Sequence, residues 1–414
     1  MFSAVSSVIP SRLARLLLAG AALALMSGAA SAGPKAYVGN FADSTVSVID
    51  TADGKVVATV PVATGPHGMA IAPDGRTVYV TGDGSSSLSI IDTSTDRVAK
   101  TVEVGKAPNG ITLTPDGKFL LVTVYAEDRV AFLDTATQAV VASVAVPKPH
   151  TVSISPDGKL AYVTTQDPGH FALTVVDLAA RTVARSIPLE KTPRDAEFGH
   201  DGKFYFTQAG VSAVAVLDPA SDKIVAEIQT GVSPHFVNVF HGAPLGMVVV
   251  QGPGEVLLFD PATDKPVRSI AVGKQPHWID ASADGKRLYV SNEGSNTLSV
   301  IDPTSGAGEI GTVAVGNAPR KVAVQRAHSS VAARVSIENF AFGPALLKVT
   351  AGQSVQWTNA DGAPHGLAFK DGAPGTDLML PGQTFSRRFE RPGVYDYVCS
   401  VHPYMVARVT VQAP

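Results

Sequence analysis

From residue 36 onward, apolar positions come in short β-branched and aromatic runs, such as Thr77-Val78-Tyr79-Val80 and Leu288-Tyr289-Val290-Ser291. Compact turn signals bound them: Pro73-Asp74-Gly75, Pro115-Asp116-Gly117, Pro156-Asp157-Gly158 and Asp284-Gly285-Lys286. This pattern predicts strands joined by tight turns, and past the amino-terminal segment no stretch carries a helical period. Two series of marks run in phase through it. A strand ending in Asp recurs at Ile49-Asp50, Ile91-Asp92, Leu133-Asp134, Val176-Asp177, Leu217-Asp218, Phe259-Asp260 and Ile301-Asp302. A proline followed by a variable residue recurs at Pro66-His67, Pro108-Asn109, Pro149-His150, Pro193-Arg194, Pro234-His235, Pro276-His277 and Pro319-Arg320. Both series have seven members spaced by about 42 residues, the length of a four-stranded propeller blade.

The two ends of the series complement each other. The first unit starts with Ala36-Tyr37-Val38-Gly39-Asn40 and lacks a Pro-led strand, whereas the last Pro-led strand, Pro319 to Gln325, has no hairpin after it. Together they complete one blade and close a ring of seven without free sheet edges. In the sixth unit His241-Gly242-Ala243-Pro244 stands where the turn signal is expected and reads as a locally altered hairpin. The phrases Tyr79-Val80-Thr81-Gly82 and Tyr289-Val290-Ser291-Asn292 resemble the repeat of bacterial YVTN-type β-propellers, over roughly residues 34–326. The resemblance implies a fold and leaves function open, because propellers host unrelated activities.

After Gln325 the punctuation changes. Residues 327–333 read as a polar, small-residue linker. Val335-Ser336-Ile337, Leu347-Lys348-Val349 and Ser354-Val355-Gln356-Trp357 read as strands, with Gly352 at a turn. Tyr395-Asp396-Tyr397-Val398 leads into Cys399, and Val406 to Val411 forms a last strand. These marks predict a small Greek-key sandwich. The expected fold class is all-β: a seven-bladed β-propeller at residues 33–326 followed by a Greek-key β-sandwich at 334–414.

Composition adds a compartment. Arg12 and Arg15 precede an apolar run from Leu16 to Met26, and Ala30-Ser31-Ala32 offers a small-residue cleavage site. Residues 1–32 therefore read as a secretory signal peptide, with an uncleaved anchor as the alternative. That run is short for a bilayer and no later one is long enough, so the cleaved chain is expected to lack a membrane span and to be periplasmic or otherwise secreted. A formal net charge of −3, with acidic residues scattered along the chain, speaks against nucleic acid as a partner. Cys399 is the one cysteine, so no internal disulfide can form. A thiol in an oxidising compartment is lost unless it is buried or bound to metal.

Cys399-Ser400-Val401-His402-Pro403-Tyr404-Met405 places a thiolate, an imidazole and a thioether three residues apart. A second imidazole, His365, lies in Gly362-Ala363-Pro364-His365-Gly366. Two imidazoles and a thiolate in a trigonal set, with a weak axial thioether, form the blue-copper pattern, and the expected cofactor is one type 1 copper ion. Zinc suits the same donors, and the bland alternative is a buried core thiol beside ordinary loop histidines.

Asn339-Phe340-Ala341-Phe342, Val355-Gln356-Trp357-Thr358-Asn359, Pro364-His365 and the run from Tyr395 to Met405 resemble amicyanin, among the plastocyanin-like cupredoxins, over about residues 334–414. The short gaps of two residues between Cys399 and His402, and between His402 and Met405, are the amicyanin form. The resemblance implies His365, Cys399 and His402 as equatorial ligands and Met405 as the axial one. It also implies an apolar docking face around the His402 ring edge, framed by Pro364, Pro403 and Tyr404. Trp357, Tyr395 and Tyr397 read as packing residues. One position departs: relatives usually carry a polar residue, often Asn, after the first histidine, and this chain has Gly366. A side chain tying the two ligand loops is then missing, which bears on rigidity and potential.

Equivalent residues of a closed ring surround one axis. The residues after the repeat prolines, His67, Asn109, His150, Arg194, His235, His277 and Arg320, are thus expected at one mouth of the central channel, where His67, His150, His235, His277, Arg194 and Arg320 could bind a metal, a metal-bound anion or an anionic ligand. The alternative is that Pro-His-Gly is a repeat consensus that shapes a turn. His170, His200, His241 and His328 fall outside this register and read as loop residues.

Three functions stay open on these residues. The leading one is a periplasmic one-electron carrier whose propeller is a docking platform, its partner a dehydrogenase, cytochrome or reductase. Amicyanin accepts electrons from methylamine dehydrogenase, whose large subunit is itself a seven-bladed propeller, which makes such pairing an instructive analogy. The second is a copper oxidoreductase with a catalytic metal at the channel mouth. It is similar in layout to nitrous oxide reductase, but the dinuclear copper of that enzyme's cupredoxin needs two cysteines and its cluster needs more histidines than this ring offers. The third is a copper-binding scaffold without a redox partner. Cys-x-x-Cys-His, the c-type haem signature, and His-x-His pairs, expected of multicopper oxidases, are both absent from the sequence.

Overall fold

The computed structural model describes residues 34–413 apart from 241–242, 305–307, 326–330, 352, 373–374 and 390. The signal segment 1–32, His241, His328 and most of the proposed linker lie outside the described residues.

Strands dominate, as the turn-bounded apolar runs require; a single 3₁₀ turn, Tyr125–Glu127, interrupts them among the described residues. Seven four-stranded antiparallel sheets follow one another, and each is led by a strand that starts at a repeat proline. These leading strands touch each other around a ring: Pro66–Ile71 packs on Pro108–Leu113, and Pro319–Val324 returns to pack on Pro66–Ile71. They are the innermost strands, while the fourth strands, such as Lys55–Pro61, are largely exposed. Pro319–Val324 pairs with Lys35–Asn40, with Tyr37 opposite Ala323 and Val38 opposite Val322, so the last strand completes the first sheet.

Two repeated devices explain the register. In each unit the Asp that ends a strand caps the next turn, with its carboxylate accepting the amide two or three residues on: Asp50 from Ala52 at 2.8 Å, Asp177 from Ala179 at 2.9 Å, Asp260 from Ala262 at 2.9 Å. The second device is a hydroxyl in the second strand. Thr81 Oγ1 accepts the Gly68 amide at 2.7 Å within its own blade and donates to the Asn109 carbonyl of the next blade at 2.6 Å. Thr123 does the same with Gly110 and His150, at 2.7 and 2.8 Å, and Thr207 with Asp195 and His235, at 3.3 and 2.7 Å. The carbonyl that receives the inter-blade bond belongs each time to the residue after the repeat proline. Apolar cores fill the gaps between blades, as where Tyr37, Val46 and Val48 meet Met69, Val78 and Val80.

The C-terminal part holds two sheets. One joins Ala341–Gly343, Val331–Glu338, Ser354–Asn359 and Thr384–Arg388; the other joins Leu346–Thr350, Val406–Gln412, Gly393–Val398, His365–Phe369 and Thr376–Met379. Trp357, Tyr397, Phe369 and Phe389 fill the space between them. The strand beginning at Val331 opens inside the stretch read as linker. It pairs in parallel with Ser354–Asn359, Ala333 lying opposite Val355, and composition alone conceals such pairing.

Candidate metal centre

Gly393–Val398 and Val406–Gln412 are antiparallel neighbours, and residues 399–405 are the loop between them. The Cys399 amide donates to the Met405 carbonyl at 3.0 Å, and the Met405 amide to the His402 carbonyl at 2.9 Å, so the loop folds back on itself. The His402 amide points at Cys399 Sγ, 3.4 Å away. His365 opens the strand His365–Phe369, whose end pairs with Gly393–Val398 at Ala368 opposite Val398. Strand pairing thus brings together side chains 34 residues apart.

Cys399 and His365 are both 0 % exposed, Met405 is buried with them, and His402 is half-buried. His365 Nδ1 and His402 Nδ1 each lie 3.7 Å from Cys399 Sγ. Among the described residues His365, Cys399 and His402 are the one group of three ligating side chains whose donor atoms all lie within 4.8 Å of one another. With metal–sulfur and metal–nitrogen bonds of ~2.3 and ~2.0 Å, a trigonal ion sets sulfur and nitrogen roughly 3.7 Å apart, so the pocket fits one ion. A carboxylate can only accept, so Asp361 Oδ2, 2.9 Å from His365 Nε2, fixes the proton there and leaves the Nδ1 lone pair facing the sulfur.

Sequence reasoning missed what braces this group. Asp361 also accepts the amides of Asn339 and Phe340, at 2.6 and 2.8 Å. Those two residues sit at φ of 52° and 55°, and successive left-handed residues turn both amides toward one anion. The Phe340 amide, ahead of the opposing effect of burial, holds the Asp361 carboxyl below its ordinary range. Phe340 then lies edge-on to both histidine rings, with centroids 5.4 and 5.0 Å away. Asn359 donates to the Ala363 and Met379 carbonyls, each at 2.8 Å. Asp361 and Asn359 therefore brace the His365 loop against the segments around Phe340 and Met379. An acid four residues before a histidine in a turn-rich loop was the available signal.

At the propeller mouth the rings of the repeat histidines are in contact. His67 lies 5.7 Å from His150 and 6.2 Å from His277 between centroids, and His277 lies 4.0 Å from His235. Burial is the main force pushing His67 and His277 well below the ordinary imidazole range, and it lowers His150 as well. Asp195, missed in the sequence, is 2 % exposed with Oδ2 3.0 Å from His235 Nδ1. Burial favours its neutral acid, but His235 and His150 outweigh that and keep it ionised below its usual range. The arginines have partners of their own: Arg320 pairs with Glu293 at 3.2 Å and stacks over Phe41, and Arg194 donates to Ser233.

Comparison with known proteins divides the chain in the same way. Residues 36–239 match the model of the cytochrome D1 heme domain, and residues 329–412 that of the copper binding proteins, plastocyanin/azurin family. The propeller is similar in fold to hydrazine synthase of Kuenenia stuttgartiensis (TM-score 0.59, 22 % identity, 65 % of this chain and 92 % of that one). It is similar also to a periplasmic gluconolactonase of Pseudomonas aeruginosa (TM-score 0.59, 20 % identity, 71 % and 99 %). Amicyanin-alpha of Methylorubrum extorquens is 38 % identical over 96 residues, covering 22 % of this chain and 79 % of the relative. Through its C-terminal domain the chain belongs to the plastocyanin/azurin family of copper-binding proteins.

Proposed function

We propose that this chain is a periplasmic blue-copper electron carrier with one copper site, held by His365, Cys399 and His402 with Met405 as a weak axial donor. The observation that carries this reading is the buried Cys399 sulfur with an imidazole nitrogen 3.7 Å away on either side. When bound, copper supplies a one-electron Cu(II)/Cu(I) couple. The residues around it resist rearrangement: the loop is bonded to itself and His365 is locked by Asp361. A pocket that cannot relax keeps the geometry similar in both oxidation states, which favours fast exchange. His402 brings the site to the surface, where Tyr404 is 69 % exposed and Phe340 and Val401 nearly half exposed. We assign this apolar patch as the face that meets the redox partner, a dehydrogenase, cytochrome or reductase, and the propeller as the platform that assists docking.

The cytochrome D1 match raises haem as a ligand of the propeller. The space beside His67 and His277 is about 30 Å³, room for one ion or water and far too small for a macrocycle. The larger channel cavity, about 470 Å³, has no histidine in its lining. No haem role is carried over.

Titrating the protein from Gly33 with cupric salt tests the proposal. Growth of an intense visible thiolate-to-copper band to one equivalent is expected, and Cys399→Ala should abolish it. A wild-type protein that stays colourless, or a band that survives Cys399→Ala, overturns the reading.

A further inference from the structure

The blue-copper reading makes no use of the imidazoles at the propeller mouth, yet they are arranged as donors. We propose that this mouth is a second, sulfur-free metal site that takes one divalent first-row transition-metal ion on His67, His150, His235 and His277, with Asp195 as the anionic partner. Five observations support it.

The backbone under two of the rings is fixed. The carbonyls of His150 and His235 accept inter-blade bonds from Thr123 and Thr207, which accounts for the recurring proline register and leaves the imidazoles free for another task. The ring spacings bracket that of the copper ligands. His365 and His402 have centroids 4.9 Å apart, and the channel contacts are 4.0, 5.7 and 6.2 Å, so the channel donors have to draw closer for three of them to share an ion. Outer partners are in place: the Arg194 carbonyl accepts from His150 Nδ1 at 3.1 Å, which leaves Nε2 with its lone pair, and the Asp195 carboxylate stands 3.0 Å from His235. One buried polar atom here lacks a hydrogen bond: His277 Nδ1, in a residue 7 % exposed. An unsatisfied ring nitrogen at this depth is destabilising, and an ion bound beside it would satisfy it. The cavity of about 30 Å³, lined by His67, His277, Asp195, Glu197 and Lys321, has room for one ion, and His150 and His235 stand just outside its lining. Neutral nitrogen donors with one carboxylate select divalent copper, zinc or nickel over calcium or magnesium.

The test uses the whole chain from Gly33, first loaded until the blue band saturates, then titrated with copper(II) chloride by calorimetry and electron paramagnetic resonance. The expected result is one further equivalent that adds nothing to the blue band and shows nitrogen coupling from imidazoles. His67→Ala/His277→Ala should weaken it at least tenfold and leave the blue band unchanged. Asp195→Asn, a gentler change, should weaken it severalfold, which keeps the test decisive if the double variant misfolds. Saturation of the wild type at one equivalent overturns the proposal. So does a second equivalent that persists in both variants, as binding at exposed His170 would. Because the blue band is read separately, failure here is distinguishable from failure of the blue-copper reading.

Discussion

The carboxylate of Asp361 takes three hydrogen bonds, from the amides of Asn339 and Phe340 and from His365 Nε2, and so joins a ligand to the loop that covers it. An ionised acceptor makes His365 a stronger donor and favours the more highly charged Cu(II). Asp361→Ala is expected to weaken copper binding about 10–100-fold and to raise the reduction potential, with Asp361→Asn between it and the wild type; chelator competition and voltammetry would show both. The candidate donors could be picked out because Cys399, His402 and Met405 share one seven-residue loop. Asp361 was not, because its partners lie 21 and 22 residues away and their left-handed backbone is a property of the folded loop. Lys321 gives a second residue-level prediction. Burial brings its ammonium down to about 8 from 10.5, against the pull of Glu197, Asp195 and Asp280. Between those two values the unfolded chain holds a proton that the folded one has released, so stability rises with pH there; below about 8 both forms are charged and the slope vanishes. Urea unfolding at pH 8 and pH 10 should show this rise in the wild type relative to Lys321→Met, by about 2 kcal/mol.

A blade depends on hydroxyls that a sequence reader takes for ordinary strand formers. Thr81 is fully buried and serves two backbone groups in different blades. Thr81→Val keeps the shape and strands both, which should cost about 2–4 kcal/mol in denaturant unfolding. Asp50→Ala removes a turn cap in an exposed setting and should cost less than about 1 kcal/mol, so the pair separates the two devices. The period of about 42 residues was visible because proline and aspartate punctuate it. The inter-blade bond was hidden because Thr favours strands whether or not its hydroxyl has a partner. The strand from Val331 was hidden for a related reason: its opening residues gain their place from pairing with Ser354–Asn359 rather than from a local pattern.

At the scale of the molecule, each part has its own core. The apolar cluster around Trp357 is built from residues 333–411 alone, and those of the propeller lie between its blades. Residues 331–414 expressed alone should therefore fold and take up copper with the same visible band as the whole chain; a colourless product would show that the site needs the propeller. All-β architecture was legible from the repeats and from the change of pattern after Gln325, whereas the meeting of rings at the channel mouth required three-dimensional closure. That closure has a consequence in time. A ribosome emits this chain from its amino end, and the sheet begun by Lys35–Asn40 stays incomplete until Pro319–Val324 emerges. At ~5–20 residues per second the wait is on the order of tens of seconds. Throughout it the first blade shows a naked strand flank that any sibling polypeptide could occupy. A factor that shields that flank until the last strand has arrived should therefore raise the yield of folded protein.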